Sequence, residues 1–358
     1  MARQATNKGL KKANKNKKDE FYTQLCDIER ELVYYKEHFR GKTIFCNCDD
    51  PEYSNFWKYF ELNFRHLGLK KLIATHYDDE KTTYKIELST DIDGDGKITK
   101  KDIKKTPLKQ NGDFRSPECI EILKEVDIVV TNPPFSLFRE YVDQLMKYKK
   151  KFLIIGNINC LTYKEIFALI KENKVWLGNG MGRWISGFIV PDRYGLYGTE
   201  TAVNSDGQKI VSTNNCLWLT NLDHNKRHED IILYKKYNEE EYPCYENFDA
   251  INIDYTKNIP MDYKGIMGVP ITFMDKYNPD QFEIIALGIV GSCEFTNNRK
   301  MEIIKKGEPT GKYTYNAKGT LYRKYNPNKD KSPSFKDCKT GELYKSIYAR
   351  YLIKNKRL

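Results

Sequence analysis

Four consecutive residues, Asn132-Pro133-Pro134-Phe135, close an apolar run that begins at Asp127, giving the stretch VVTNPPF over 129–135. Proline has no N–H and fixes its φ at about −65°, and the residue before a proline is pushed toward extended geometry. Such a stretch cannot continue a sheet ladder or open a helix at once, so it is stiff and its carbonyls are left free and aimed. A second set of chemistry-bearing residues lies in DIDGDGKITKKD, 91–102. Asp91, Asp93, Asp95, Gly96 and Ile98 stand at the spacing of a calcium loop, with Asp102 where an EF-hand has a bidentate Glu. The run before it, Lys85–Leu88, reads as extended, and Pro107 limits an exiting helix. The segment is therefore either a polar hairpin tip or a structural cation site held by Asp91, Asp93, Asp95 and Asp102.

These residues need a frame, and the chain supplies one by alternation. DEFYTQLCDIERELVYYKEHF (19–39) predicts a helix, followed by strands at Thr43–Cys48, Lys71–His76, Asp127–Thr131, Phe152–Gly156 and Val175–Gly178. Helices are expected between them at Asn55–Leu67, Ser116–Glu125, Phe138–Lys147 and Tyr163–Asn173. Such alternation predicts a mostly parallel α/β sheet whose ligands sit at the carboxyl ends of its strands, and VVTNPPF ends on that edge. Beyond about residue 236 the rhythm changes to short runs such as Gly268–Phe273 and Phe282–Ile289, which predicts a second, mainly β domain.

Charge is distributed as unevenly as structure. The net charge is +11, yet residues 1–18 hold seven Lys/Arg and no acid, and residues 299–358 hold 17 Lys/Arg against five Asp/Glu. The segment between the two is consequently acidic overall. Basic ends form either a solvated surface or a polyanion-binding footprint. Aromatics interleaved in Lys312-Tyr313-Thr314-Tyr315 and Leu321-Tyr322-Arg323-Lys324-Tyr325 favour nucleic acid. The nine cysteines are odd in number and form no CxxC pair, which favours reduced thiols over a disulfide framework or a zinc site. With no apolar run of about 18 residues and no export signal, a cytoplasmic protein is expected.

DIVVTNPPFSLF resembles the catalytic strand end of adenine-specific, S-adenosylmethionine-dependent methyltransferases. CNCDDPEYSNFWKYFELNF, GDFRS, FLIIGN followed by YKEIF, and GVPITF with YNPDQFEII extend the likeness to the EcoRI-type adenine-specific DNA methyltransferases over most of residues 19–290. The resemblance implies a Rossmann-like methyltransferase sheet at 19–235 and a smaller, mainly β target-recognition and DNA-binding region at 236–358; residues 1–18, basic and without an acid, are expected to be a disordered arm before them.

It also gives the tetrapeptide a task. The exocyclic amine of adenine shares its lone pair with the ring and attacks a methyl sulfonium poorly. If the Asn132 side-chain oxygen and the Pro133 carbonyl each accept one N–H, the nitrogen is steered toward a tetrahedral shape with its lone pair facing the methyl group. Pro134 helps to hold that carbonyl, and Phe135 is expected to stack on a base flipped from the duplex. For the cofactor, the resemblance implies Phe21, Tyr22 and Thr23 near its methionine end, unless that segment is simply a helix start. Asn47, Asp49 and Asp50 would face its ammonium group, although glycines common at that turn elsewhere are missing and an N-cap is the alternative. Asp113 and Phe114 would take its adenine.

Double-stranded DNA is the implied partner, with Arg183, Arg193, Arg323 and Lys324 as candidate contacts and Trp184 beside them. A cognate restriction endonuclease would be a functional rather than a physical partner, and the protein is expected to act as a monomer. An RNA adenine or protein-glutamine methyltransferase, or a catalytically silent nucleic-acid-binding relative, remains as the alternative.

Overall fold

The computed structural model describes residues 21–48, 50–78, 82–89, 91, 94, 98–190, 201–204, 206–211, 215–315 and 317–358. The basic arm at 1–18, Asp49, Asp93, Asp95 and Arg193 lie outside them. The chain divides into two compact units. One comprises Met1–Cys160 with Val175–His224, the other Leu161–Lys174 with Asn225–Leu358.

The first unit is built on an eight-stranded sheet. Its strands are β1 (Thr43–Cys46), β2 (Lys71–Thr75), β3 (Tyr84–Leu88), β4 (Lys104–Pro107), β5 (Ile128–Thr131), β6 (Lys151–Asn157), β7 (Trp176–Met181) and β8 (Cys216–Thr220). They lie in the order β4-β3-β2-β1-β5-β6-β8-β7. β2, β1, β5 and β6 pair in parallel, while β3 and β8 run against their neighbours. The unit's longer helices are α1 (Leu25–Leu32), α2 (Asn55–Leu62), α3 (Pro117–Glu125) and α4 (Phe138–Lys147).

The parallel strands are apolar at every position because both faces are covered. Ile44, Cys46, Leu72, Ala74, Ile128, Val130, Leu153 and Ile155 join Ile28 and Leu32 of α1 and Phe56 and Phe60 of α2 in one core cluster. Phe45, Ile73, Val129 and Ile154 alternate with them and are buried too, and α4 packs on β6. Local chemistry sets the starts: Ser54 and Ser116 cap α2 and α3, and Pro117 occupies the first turn of α3 where no N–H is needed. Asp127, the charged lead-in to β5, accepts from the first amide of β1 at 2.8 Å.

The expected strands and helices are present, though the helix expected at 19–39 is broken into Leu25–Leu32 and Lys36–Phe39 and the one expected at Asn55–Leu67 ends at Leu62, and three further differences stand out. Residues 21–23 do not enter a helix. Tyr22–Thr23 is a short strand paired with Phe188–Ile189, which continues into a small antiparallel sheet with Lys209–Val211 and Thr201–Val203. Second, β8 inserts antiparallel between β6 and β7, so the sheet is mixed. Third, helix α5 (Lys164–Lys171), expected in the first domain, groups with the second unit, where Lys171 Nζ donates to the Ile285 carbonyl at 2.6 Å.

The second unit contains two sheets and is mainly β, as its broken rhythm predicts. One sheet orders Ile251–Asn252, Met267–Pro270, Arg350–Asn355 and Phe282–Leu287; the other orders Glu308–Thr314, Met301–Lys305, Phe335–Asp337, Leu343–Ser346 and Tyr322–Lys324. The basic C-terminal stretch is thus woven into sheets rather than trailing as a tail. None of the nine cysteines forms a disulfide. Among the described residues no helix is long and apolar enough to cross a membrane.

Candidate active site

The chain leaves β1 on one side of the sheet to form β2 and returns on the other side as β5, so the carboxyl ends of β1 and β5 lie side by side at a topological switch point. Ligands of open α/β sheets bind at that position. β1 runs into Asn47 and Asp50 there, and β5 runs into Asn132.

Asn132 is buried, and its side chain is held in one orientation. Its Nδ2 donates to the Phe21 carbonyl at 2.9 Å. A carbonyl can only accept, so this bond fixes which end of the amide is oxygen. Oδ1, facing away, is buried and has no hydrogen-bond partner. A buried acceptor left unmade costs about 1–3 kcal/mol, an expense that a ligand donor would remove. The following turn behaves as the prolines dictate: Leu137 N donates to the Pro134 carbonyl at 3.0 Å, while no described residue donates to the Pro133 carbonyl. Two acceptors on adjacent residues, one from a side chain and one from the backbone, thus have no donor among the described residues. Phe135 is half-buried and meets Phe188 edge-on, with ring centroids 6.2 Å apart; Phe188 also touches Phe21 at 6.0 Å.

The other expected site residues are joined to this point by a circuit of contacts around the strand ends. Tyr22 lies against Tyr53, and the Thr23 carbonyl accepts from Asn55 at 2.8 Å, tying that strand to the turn after β1. Thr23 Oγ1 is buried with no partner. Within the turn, Asp50 accepts from the Glu52 amide at 3.0 Å and faces His76 Nε2 at 3.5 Å. His76 stacks on Tyr84, and its Nδ1 is buried and unpartnered. Gly112, at φ +76°, presses on the His76 carbonyl so closely that a Cβ there would stand 2.1 Å from the oxygen. Phe114 is buried edge-on to Tyr141 at 4.9 Å, and the Tyr141 hydroxyl donates to Asn47 Oδ1, which closes the circuit. Burial pushes the Tyr141 hydroxyl well above its usual range, so it remains a donor.

Asp113 carries a partner that sequence reasoning did not foresee. Arg115 grips its carboxylate through Nε at 2.9 Å and Nη2 at 2.6 Å, and the Arg115 amide adds a bond of 2.8 Å. Burial raises this carboxyl, but the Arg115 bonds outweigh burial and hold it below the usual carboxylate range. Asp113 is therefore an ionised, fixed acceptor. Tyr141, His76, Arg115 and Phe188 were all missed. Tyr141 lies on an expected helix, and His76 and Arg115 border expected elements, whereas Phe188 lies on a two-residue strand with no signal of its own; the convergence of all four depends on strand order, which one sequence does not reveal.

The candidate polyanion contacts divide. Arg323 is corrected: its side chain is only 6% exposed and is clamped by Asp330 through two bonds of 2.8 Å. Bonding to Asp330 and burial leave it no reach to a phosphate. Arg323→Ala is expected to destabilise the fold by about 3–5 kcal/mol, the cost of stranding a buried charge, while folded protein keeps its nucleic-acid affinity; thermal unfolding and a binding isotherm measure the two. Lys324 is exposed, with Glu342 as its neighbour at 3.5 Å. Trp184 is 45% exposed and lends its carbonyl to Arg30 at 3.0 Å. The Arg183 side chain, like Arg193, lies outside the described residues.

The candidate calcium segment joins β3 to β4, which pair antiparallel, so its flanks are strands rather than the helices of an EF-hand. Asp102 is buried and accepts from the Thr99 amide at 2.7 Å in a capping box, and Asp91 accepts from Gly94 N at 2.7 Å. Among the described residues no group of three or more His, Cys, Asp or Glu is placed to hold a metal ion. Added calcium is expected to leave the melting temperature unchanged. A rise that Asp93→Ala abolishes would give the loop a cation.

The family model for the adenine-specific methyltransferase EcoRI matches residues 9–356. The chain belongs to that methyltransferase family. It is 56% identical over 317 residues to the type II methyltransferase M.EcoRI of Escherichia coli, covering 82% of this chain and 96% of the relative. It is 42% identical over 280 residues to M.MgeORF184P of Mycoplasma genitalium and 40% identical over 278 residues to M.MpnI of Mycoplasma pneumoniae; each alignment covers 76% of this chain and 84% of the relative. No solved structure matches the chain.

Proposed function

We propose that this adenine-specific DNA methyltransferase transfers a methyl group from S-adenosylmethionine to the N6 amine of an adenine flipped out of duplex DNA at a specific site. The carrying observation is the buried, unpartnered Asn132 Oδ1, whose direction is set by the bond from Nδ2 to the Phe21 carbonyl. The central parallel strands with an antiparallel strand inserted beside the last of them support a Rossmann-like methyltransferase sheet.

Asn132 Oδ1 and the Pro133 carbonyl each accept one N–H of the amine, drawing electron density back to nitrogen as it rehybridises. Because both acceptors are held before substrate arrives, no reorganisation is needed at the moment of transfer. The half-buried Phe135 ring offers an aromatic face to the flipped base. S-adenosylmethionine supplies an electrophilic methyl group on a sulfonium. Residues around the strand ends fit it: Phe114 and Asp113 for the adenine, Asp50 for the ammonium group, and the Thr23 hydroxyl among the buried groups still lacking a partner. Gly112 leaves no side chain between this loop and β2. Phe21 and Tyr22 border the same edge, and Asn47 serves it by holding Tyr141.

Transfer of tritium from labelled S-adenosylmethionine tests this reading, with duplex DNA, single-stranded RNA and protein offered separately. Label in duplex DNA alone is expected; label confined to RNA or protein would overturn the substrate assignment. The basic ends supply the sequence-independent part of DNA affinity. Affinity is expected to fall steeply with salt, and deleting residues 1–18 to flatten that dependence without changing the preferred site. An unchanged slope after deletion would make the arm a solvated tail. A cognate restriction endonuclease, if the chain serves in a restriction-modification pair, would share its site and need no contact with it.

A further inference from the structure

The Asn132 amide owes its orientation to one backbone carbonyl, that of Phe21. Phe21 precedes a strand of only two residues, and the ladder holding that strand pairs Tyr22 with Ile189 and Thr23 with Phe188. So short a ladder is marginal by itself, and the position of the Phe21 carbonyl must depend on what fixes the segment beside it. That segment is held on its far edge by Lys209–Val211 and is pinned at its start by Ser186. The Ser186 hydroxyl donates to Asp27 Oδ2 at 2.8 Å, the Ser186 amide donates to the same oxygen at 2.8 Å, and Gln24 Nε2 donates to the hydroxyl at 2.6 Å. Gln24 also reaches the Gly187 carbonyl at 3.4 Å.

Asp27 is buried in the first turn of α1, one turn after the strand that Phe21 precedes. Burial raises its carboxyl, and the Ser186 bonds and Arg30 oppose that shift. Arg30 bonds Asp27 at 3.5 Å and the Trp184 carbonyl at 3.0 Å, so it adds a second tie to the same segment. Further along α1, Glu31 is buried and accepts from the Asn179 and Gly180 amides of β7 at 2.7 Å each. α1 is thereby fixed to the sheet, and what it pins is fixed with it.

We infer that Ser186, held by Asp27 and Gln24, is a positioning residue for methyl transfer: it fixes the Phe188–Ile189 strand, hence the Phe21 carbonyl, hence the direction of Asn132 Oδ1. The inference rests on the proposed role of Asn132. Ser186 touches neither substrate nor cofactor in this scheme. It is exposed, so removing its hydroxyl opens no cavity, and the amide bond to Asp27 survives the change. A small displacement of the acceptor is enough to cost rate, because misplacement by about 1 Å can slow an enzyme up to about 100-fold.

The test is single-turnover methylation of duplex DNA at saturating S-adenosylmethionine, with DNA and cofactor affinities measured separately. Ser186→Ala is expected to slow transfer roughly ten-fold or more with both affinities unchanged, and Ser186→Thr, which keeps the hydroxyl, to restore it. In the Asn132→Ala background the same Ser186→Ala change is expected to cost nothing further, since residues acting through one group are not additive. An undiminished rate in Ser186→Ala overturns the inference, as does equal slowing in Ser186→Thr or an undiminished cost in the double variant. If Asn132→Ala itself keeps full rate, the role of Asn132 fails and the inference falls with it. If Asn132→Ala collapses while Ser186→Ala does not, only the positioning role fails.

Discussion

Asn132→Ala is expected to lower the rate of methyl transfer by roughly two or more orders of magnitude, the size of effect seen when a preorganised polar group aimed at a transition state is removed. Affinity for DNA and for S-adenosylmethionine should change little, because the lost interaction strengthens chiefly as the nitrogen rehybridises. The structure sharpens the comparison. Asn132→Asp keeps an oxygen where Oδ1 stands but places a second oxygen against the Phe21 carbonyl, 2.9 Å from the present Nδ2. Two acceptors then face each other, and the side chain must turn or take up a proton. Asn132→Asp is therefore expected to be nearly as slow as Asn132→Ala despite its matched shape. Single-turnover rates with binding measured separately check the pair; a near-normal rate in Asn132→Ala would remove this strand end from the chemistry.

The second large effect is expected at Gly112. Two independent conditions exclude a side chain there: φ is +76°, and a Cβ would stand 2.1 Å from the His76 carbonyl oxygen. The left-handed conformation costs about 1–2 kcal/mol for a residue with a Cβ, and relieving the clash by moving backbone adds about 1–3 kcal/mol. Gly112→Ala is thus expected to lower the melting temperature by roughly 6–12 °C if the total is near 3 kcal/mol. Asp113 and Phe114 move with Gly112, so the variant should also need at least roughly ten-fold more S-adenosylmethionine for half-maximal rate. DNA affinity should be preserved. Calorimetric melting and a cofactor titration measure both, and unchanged cofactor dependence would detach the Gly112-Asp113-Phe114 loop from cofactor binding.

Much of this was readable from residue order. β1, β2, β5, α4 and β6 fall where apolar periodicity and caps predict them, because each is long, buried and bounded by clear stop signals. The stiff strand end at Asn132 was legible for the same reason: two prolines leave the backbone few choices. Elements of two or three residues were not. Tyr22–Thr23 and Phe188–Ile189 have no periodicity of their own and exist because each pairs with the other across more than 160 positions. β8, CLWLT, is buried on both faces, and nothing in its composition says that it runs antiparallel. Arg323 misled because an Arg among tyrosines and lysines reads as a phosphate contact, whereas Asp330, seven residues on, claims it. The charge pattern gave the sign of the partner but could not say which cations are free to meet it.

The central claim is that this chain methylates adenine N6 in duplex DNA through the acceptors at Asn132. Its most direct test is to express the chain in cells lacking adenine methylation, hydrolyse their DNA to nucleosides, and map modified positions by sequencing. The expected result is N6-methyladenine confined to one short recurring sequence in cells carrying the natural chain, and none in cells carrying Asn132→Ala at equal protein level. Modified cytosine, modification confined to RNA, or the same adenine signal from the Asn132→Ala protein would contradict it.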